Sequence, residues 1–195
     1  MSNYQPSRVV SDLRELANRT GGPEGSRRLA WTPDWLQARA FFRESLATLP
    51  VDIEEDAAGN LWAILRGERP DTVLVGSHLD SVPKGGWLDG ALGVMAGVEL
   101  LRAIAADGTP PVTVACVDWA DEEGARFGRS LFGSGAVGGS LDVDAVRKLV
   151  DNTGRKLGDV VGEHGVNLET VMTAGDSLSS IVGSAELHIE QGPLL

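Results

Sequence analysis

Residues 76 to 90, GSHLDSVPKGGWLDG, place one histidine and two aspartates in a glycine-rich segment directly after the apolar run DTVLV. Three acidic residues, Asp121 to Glu123, follow a second apolar run, and His188 lies near the end of the sequence. Imidazole and carboxylate groups together are typical zinc ligands, and they suit manganese or cobalt nearly as well. A hydrolytic site with two ions, about 3.5–4 Å apart, needs a bridging carboxylate. It also needs a free carboxylate as general base.

The sequence offers a residue for each of these functions. The candidate metal ligands are His78, Asp89, Glu123 and His188, and the candidate general base is Glu122. Adjacent residues at a strand end point in different directions, so one carboxylate can bind metal while its neighbour faces substrate. Three carboxylates after a buried strand also repel one another and resist burial, a cost that a divalent cation removes. Asp80 stands two residues after His78, where a strand returns to the same face, so it can hold the far imidazole nitrogen.

Each of these residues also has a purely structural interpretation. Asp89 precedes a helical pattern and could be its N-cap. The acidic run could be a solvated loop, and His188, in an alternating segment, could be a core histidine. The tryptophans Trp31 and Trp35 are expected to pack in the core.

The elements that must position these groups form a strand–helix–strand pattern. DTVLVGSH (71–78) and PPVTVACVDWA (110–120) read as buried strands, and GALGVMAGVELLRAIAADG (90–108) reads as a helix rich in small residues. This order predicts a parallel crossover in an α/β domain. Ligands in such sheets collect at the carboxyl ends of the strands. The acidic and imidazole groups are therefore expected to converge there.

Further elements flank this unit. The spacing of apolar residues predicts helices over 7–20 and 33–49, the second with Thr32 as N-cap, and a hairpin over 51–67. Residues 142–150 and 167–175 read as helical, and GSAELHIEQG (183–192) reads as a closing strand that carries His188.

The charge and composition exclude several partners. The formal net charge of −11 argues against nucleic acid and anionic membrane surfaces, which require basic patches. A single cysteine, Cys116, allows no internal disulfide and fits a reducing compartment. The N-terminal residues contain no apolar signal core, and no apolar run is long enough to cross a bilayer. We therefore expect a cytoplasmic protein.

Three segments resemble one enzyme family closely and in the same order. They are GSHLDSVPKGGWLDGALGVMAGVELL (76–101), DWADEEGARFGRSLFGSGAVGG (118–139) and ELHIEQGPLL (186–195). The chain resembles the hydantoinase/carbamoylase amidases, which include N-carbamoyl-L-amino-acid hydrolases and allantoate amidohydrolases and belong to the di-zinc aminoacylase and carboxypeptidase superfamily. The resemblance implies a zinc-exopeptidase-like catalytic domain of the α/β class, with a partial mixed β-sheet flanked by helices.

The resemblance also implies a role for each residue. Asp89 resembles the bridging ligand, His78 and His188 would complete one metal site, and Glu123 would bind the other ion. Glu122 would activate water and Asp80 would orient His78. Gln191 resembles a position that contacts substrate. Two divalent ions per full-length subunit are implied, zinc first and manganese or cobalt as alternatives.

A histidine at 188 is typical of the carbamoylase branch, whereas peptidase and deacylase relatives usually carry a carboxylate there. The resemblance therefore implies a small ureido compound, R–NH–CO–NH2, as substrate. Activated water would attack its carbonyl, and the carbamate released would decompose to carbon dioxide and ammonia. An aminoacylase or dipeptidase is the alternative enzyme.

Members of this family are about twice as long as 195 residues. By resemblance, residues 1–195 correspond to the N-terminal part of the catalytic domain. A lid and dimerisation domain and the rest of the catalytic domain, which supplies a further histidine to the second metal, would be absent. His164 is a poor substitute for that histidine. A homodimer is expected for the full-length family, and a catalytically inactive fragment or metal-binding module is the alternative for this chain.

Overall fold

A computed structural model describes residues 3–189. It is a mixed α/β structure. The strands in chain order are β1 (Gly21–Gly22), β2 (Gly25–Ser26), β3 (Asp52–Glu55), β4 (Leu61–Leu65), β5 (Thr72–His78), β6 (Thr113–Trp119) and β7 (Ile181–Ala185). The main sheet has five strands in the order β3-β4-β6-β5-β7, and β1 and β2 form a separate small hairpin. The predicted fold class, a mixed sheet flanked by helices, is confirmed.

Six α-helices accompany the sheet within the described residues. They are α1 (Pro6–Thr20), α2 (Pro33–Leu46), α3 (Ala91–Ala106), α4 (Phe132–Val137), α5 (Val143–Val146) and α6 (Leu157–Glu163). Residues Val171–Ser180 add a 3₁₀ helix before β7. Proline in the first turn of α1 and α2 starts each helix, because its fixed φ suits a position whose N–H has no helical partner.

The strand–helix–strand unit of β5, α3 and β6 forms as predicted. β5 and β6 are parallel and end together, with His78 opposite Trp119. α3 packs closely on both strands, since a Cβ atom at Gly97 would lie 2.5 Å from the sulfur of Cys116, and one at Gly93 would lie 2.7 Å from the Cβ of Ser77. The small residues of this helix thus bring its N-terminus against the ends of the two strands.

The core has two clusters of buried apolar side chains. One joins α1, α2 and α3 to the sheet and includes the fully buried Leu16, Phe42 and Leu101. The other surrounds Trp31 and Trp35 and extends to α4 and α6. Burying an apolar side chain of this size contributes roughly 1.5–3 kcal/mol to the free energy of folding. The two clusters therefore hold the helices and the sheet together.

Thr32 is the N-cap of α2, as predicted, but its side chain makes no capping hydrogen bond, and its hydroxyl donates to the carbonyl of Leu29 at 2.6 Å. Three other local predictions were wrong. The helical stretch predicted over 142–150 is limited to the short α5, and the one over 167–175 consists of turns and the start of the 3₁₀ helix. β7 ends at Ala185, where its pairing with β5 ends, so His188 follows the strand and is not part of it.

Among residues 3–189, no helix is both long enough and apolar enough to cross a membrane.

Candidate metal centre

The carboxyl end of β5 supplies the first imidazole. His78 is 5% exposed, and its Nδ1 atom lies 3.0 Å from the backbone oxygen of Asp80 and 3.5 Å from Oδ1 of the same residue. Burial alone lowers the pKa of His78, but the hydrogen bonds and negative charge of Asp80 and the charge of Asp89 raise it to about 9. The predicted contact with Asp80 exists, although the backbone carbonyl is nearer than the carboxylate. The Nε2 atom is left to face the site.

Asp89 lies opposite that nitrogen, with its Oδ1 atom 3.9 Å from Nε2 of His78. It is 3% exposed and precedes α3, whose N-cap is Gly90, so Asp89 is not the cap of this helix. Gly90 has a φ of 63°, and a Cβ atom there would lie 2.5 Å from the His78 ring and 2.4 Å from its carbonyl oxygen. Glycine at position 90 therefore allows the aspartate and the imidazole to approach each other.

His188 completes the group from the segment after β7. Its ring stacks on that of His78 with the centroids 5.9 Å apart, and its Nε2 atom lies 3.4 Å from Oδ1 of Asp89. A hydrogen bond from Ser77 to Glu186 fastens this segment to the end of β5. One ligand atom each from His78, Asp89 and His188 lie within 4.8 Å of one another, so the three residues can hold a single metal ion.

The acidic run after β6 forms a sharp turn. Asp121 is buried and has a left-handed backbone with a φ of 53°. The turn directs the next two backbone N–H groups to Asp80: that of Glu122 donates to Oδ1 at 3.2 Å, and that of Glu123 donates to Oδ2 at 3.0 Å. Asp80 thereby joins the end of β6 to the end of β5.

Glu122 and Glu123 differ in their surroundings. The carboxylate of Glu122 accepts a hydrogen bond from the hydroxyl of Ser134 at 2.7 Å. Burial raises the pKa of Glu122, while Ser134 and the nearby His78 act in the opposite direction. Burial is the main cause that raises the pKa of Glu123 to about 7. A hydrogen bond to the Asp89 carboxyl and the negative charge of Asp89 raise it further.

The donor chemistry of this cluster fits a divalent cation. Asp80, Asp89, Glu122 and Glu123 bring four carboxyl groups together, and burial, followed by the neighbouring carboxyl groups of Asp89 and Asp80, raises the pKa of Glu123. A divalent cation would relieve this repulsion. Two imidazoles stand beside them, and imidazole with carboxylate is a donor set that zinc and related ions accept.

The structure thus brings six of the predicted residues to one end of the sheet. His78, Asp89 and His188 form the ligand group, Glu123 adjoins Asp89, and Asp80 and Glu122 lie behind them. Their individual roles stay predictions. The seventh, Gln191, lies outside the described residues.

His164, weighed as a substitute ligand, packs against the indoles of Trp31 and Trp35 with ring centroids 5.6 and 6.2 Å away. It takes no part in the ligand group.

Several residues that shape the site carried no signal in the sequence. Asn60 accepts from the backbone N–H of Ala120 at 2.9 Å and so supports the end of β6. Buried Arg28 donates from Nε to the carbonyl of Leu79 at 2.6 Å, between His78 and Asp80. These contacts span 51 residues or more of sequence, so no local pattern could have indicated them.

Comparison with known proteins identifies the family of this chain. Residues 60–186 match peptidase family M28, and the chain belongs to that family. This matched range contains most of the cluster described above.

The chain is 36% identical over 197 residues to an N-carbamoyl-L-amino acid amidohydrolase of Geobacillus stearothermophilus, a match that covers 98% of this chain and 47% of that protein. It is 35% identical over 175 residues to the allantoate amidohydrolase of Escherichia coli strain K12, which covers 88% of this chain and 42% of that one. A hydantoinase/carbamoylase family amidase of Burkholderia ambifaria superposes with a TM-score of 0.81 at 32% identity, over 98% of this chain and 47% of that chain. The resemblance to these amidases is confirmed, and the chain spans about half the length of the curated relatives it matches.

Proposed function

We propose that this chain supplies a metal centre for the hydrolysis of a linear ureido or amide C–N bond. The observation that carries the proposal is the convergence of His78, Asp89 and His188 within 4.8 Å, beside a glutamate that is held by a hydroxyl group. The proteins similar to this chain are named for N-carbamoyl-L-amino acids and allantoate, compounds with a ureido group. A small ureido compound is therefore the proposed substrate.

In this proposal His78, Asp89, Glu123 and His188 hold the ions, with zinc first and manganese or cobalt as alternatives. Such ions polarise a carbonyl group and make water nucleophilic near neutral pH. Asp80 fixes the ring of His78 through Nδ1, so that Nε2 is presented to the metal. Gln191 is proposed to contact the substrate.

Glu122 is the proposed general base. It accepts a proton from the attacking water and returns it to the leaving nitrogen as the C–N bond breaks. The products are an amine and a carbamate, which decomposes to carbon dioxide and ammonia. The hydrogen bond from Ser134 holds one carboxylate oxygen of Glu122, so the other oxygen can face the water. A base held in this way contributes roughly 10²–10⁴-fold to a rate.

A Glu122→Gln variant tests this assignment. The amide cannot accept the proton, so we expect ammonia release from an N-carbamoyl-L-amino acid to fall at least a hundredfold while metal content is retained. Calorimetric titration with Zn²⁺ measures metal binding. The matched control is Glu68→Gln, in the exposed loop after β4. Retained turnover in Glu122→Gln would remove this residue from the mechanism, and a wild-type chain that binds no metal would refute the centre itself.

A second candidate function is cleavage of peptide or acyl-amino-acid bonds, because the chain belongs to a family named for peptidases. The same ligands and base would serve that reaction. Turnover of N-carbamoyl, N-acetyl and dipeptide substrates with a common amino acid distinguishes the two functions. One weakly bound ion without turnover of any of these substrates would favour a catalytically inactive fragment or metal-binding module. The homodimer expected for the full-length family stays a prediction.

A further inference from the structure

The acidic turn that carries Glu122 and Glu123 is held from outside the metal centre by a tryptophan. The indole N–H of Trp31 donates to Oδ2 of Asp121 at 3.2 Å. Trp31 is 4% exposed and Asp121 is 1% exposed, so water cannot easily replace this bond. The two residues are 90 positions apart in the sequence.

Both partners have left-handed backbones, with φ angles of 62° at Trp31 and 53° at Asp121. This conformation is unfavourable for residues with a Cβ atom and persists only where surrounding contacts enforce it. Arg126, three residues after Glu123 in the sequence, supplies a further contact by donating to the carbonyl of Trp31 at 2.8 Å. The turn is therefore fastened to Trp31 at two points.

The ring of Trp31 is itself fixed by its neighbours. Its centroid lies 4.8 Å from that of Trp35 and 5.9 Å from that of Phe132. A Cβ atom at Gly59 would come within 3.1 Å of its six-membered ring. These contacts restrict rotation of the ring and therefore the direction of the indole N–H.

We infer that Trp31 is a positioning residue for the metal centre: its indole N–H holds Asp121 in the turn that aims the backbone N–H groups of Glu122 and Glu123 at Asp80. This inference rests on the proposed function for its consequence, metal binding, but not for the positioning itself. Asp80 receives both N–H groups and lies 3.5 Å from Nδ1 of His78. Loss of the indole bond would thus loosen the contact between the two strand ends that carry the ligands.

Trp35 provides a matched control within the same aromatic cluster. It is buried like Trp31, but its indole nitrogen has no hydrogen-bond partner in the part of the chain that the structure describes. Tryptophan to phenylalanine at either position removes similar apolar volume. Only the change at Trp31 also removes a hydrogen bond to the acidic turn.

The experiment compares Trp31→Phe with Trp35→Phe in the full chain. In the metal-free protein, we expect amide hydrogen exchange at Glu122 and Glu123 to become at least tenfold faster in Trp31→Phe and to stay near wild type in Trp35→Phe. We also expect Trp31→Phe to weaken Zn²⁺ binding roughly 10–100-fold, the range found when residues that support metal ligands are replaced. Nuclear magnetic resonance measures the exchange, and calorimetry measures the affinity.

Substitutions at Asp121 test the same bond from its other end. Asparagine tolerates the left-handed conformation and keeps an oxygen for the indole, so Asp121→Asn should exchange like wild type. Alanine lacks that oxygen, so Asp121→Ala should resemble Trp31→Phe. These two variants also test the hydrogen bond between Trp31 and Asp121 if Trp31→Phe does not fold.

Unchanged exchange at Glu122 and Glu123 in Trp31→Phe, or equal acceleration in Trp35→Phe, would overturn the inference. A wild-type chain that binds no Zn²⁺ would refute the proposed function instead. The exchange rates of the metal-free protein would still decide the role of Trp31.

Discussion

The two imidazoles of the candidate metal centre come from two unequal regions, the ends of the neighbouring strands β5 and β7. β5 lies between β6 and β7, and its end is buried together with the polar groups that follow it. β7 is an edge strand, four of its five residues are exposed, and its pairing with β5 contains a register shift. The side chain of His78 is accordingly 6% exposed, and that of His188 is 38% exposed.

This difference separates residues that stabilise the fold from residues that mainly contribute to metal affinity. The end of β5 is fixed by charged and polar contacts in a buried setting, where each contact is strong and costly to lose. In the segment after β7, the described residues 186–188 that reach the same site are exposed. The fold should therefore depend on the β5 and β6 ends, whereas metal affinity should depend on both regions.

The largest expected effect is on stability, at Asp118 in β6. Its buried carboxylate accepts from Arg39 at 2.8 Å and from the backbone N–H of Leu79 at 2.7 Å. Asp118→Ala leaves the guanidinium of Arg39 without this buried partner, and breaking such a pair costs about 3–5 kcal/mol. Urea unfolding measures the loss. The matched control is Asp52→Ala on the edge strand β3, whose exposed pair with Arg66 is worth about 0–1 kcal/mol. Equal losses of unfolding free energy in Asp118→Ala and Asp52→Ala would contradict the contrast between buried and edge strands.

A smaller effect is expected from pH in the metal-free protein. The pKa values of Asp121 and Glu123 are raised to about 7 and that of His78 to about 9, from ordinary values of 3.8, 4.5 and 6.5. Each group binds its proton more tightly when folded, so the stability it contributes is complete below the ordinary value and is lost as pH rises through the folded value. Tm should therefore fall between about pH 5 and 9, by roughly 2–4 °C for each kcal/mol lost.

Saturating Zn²⁺ is the control for this pH effect. A bound cation takes the place of the protons in the carboxylate cluster, so its stabilisation should grow as the pH rises. Scanning calorimetry at several pH values, with and without Zn²⁺, measures both trends. A Tm that rises across this range without metal would show that the cluster does not favour protonation.

The smallest effect on stability is expected at His188. Because its ring is partly exposed and follows an edge strand, His188→Ala should change the free energy of unfolding of the metal-free protein by no more than about 0.5 kcal/mol. The same variant should bind Zn²⁺ more weakly, since one imidazole of the ligand group is gone. Calorimetric titration and urea unfolding on one preparation separate the two properties. A large loss of unfolding free energy in His188→Ala would show that His188 stabilises the fold, as the buried residues at the end of β5 are expected to do.

Much of the fold could be predicted because it depends on local patterns. The apolar runs of β5 and β6 and the small residues of α3 predict a parallel unit, and that unit forms. The end of β7 could not be predicted, because the alternating residues around His188 look like a strand, while the actual limit is set by the pairing with β5. The helices predicted after residue 140 were overestimated, because local i→i−3 hydrogen bonds close turns there instead, as from the N–H of Leu149 to the carbonyl of Val146 and from that of Thr170 to the carbonyl of Asn167.

The sequence by itself determined which groups are available to the site: two histidines and several carboxylates, placed after apolar runs that must be buried. Ligand chemistry follows from residue type, which can be read directly from the sequence. Only the tertiary structure decided which atoms meet, that Nε2 rather than Nδ1 of His78 faces Asp89, and that Trp31 reaches Asp121 across 90 positions. Such contacts depend on distances between segments remote in the chain, and packing around a shared core sets those distances.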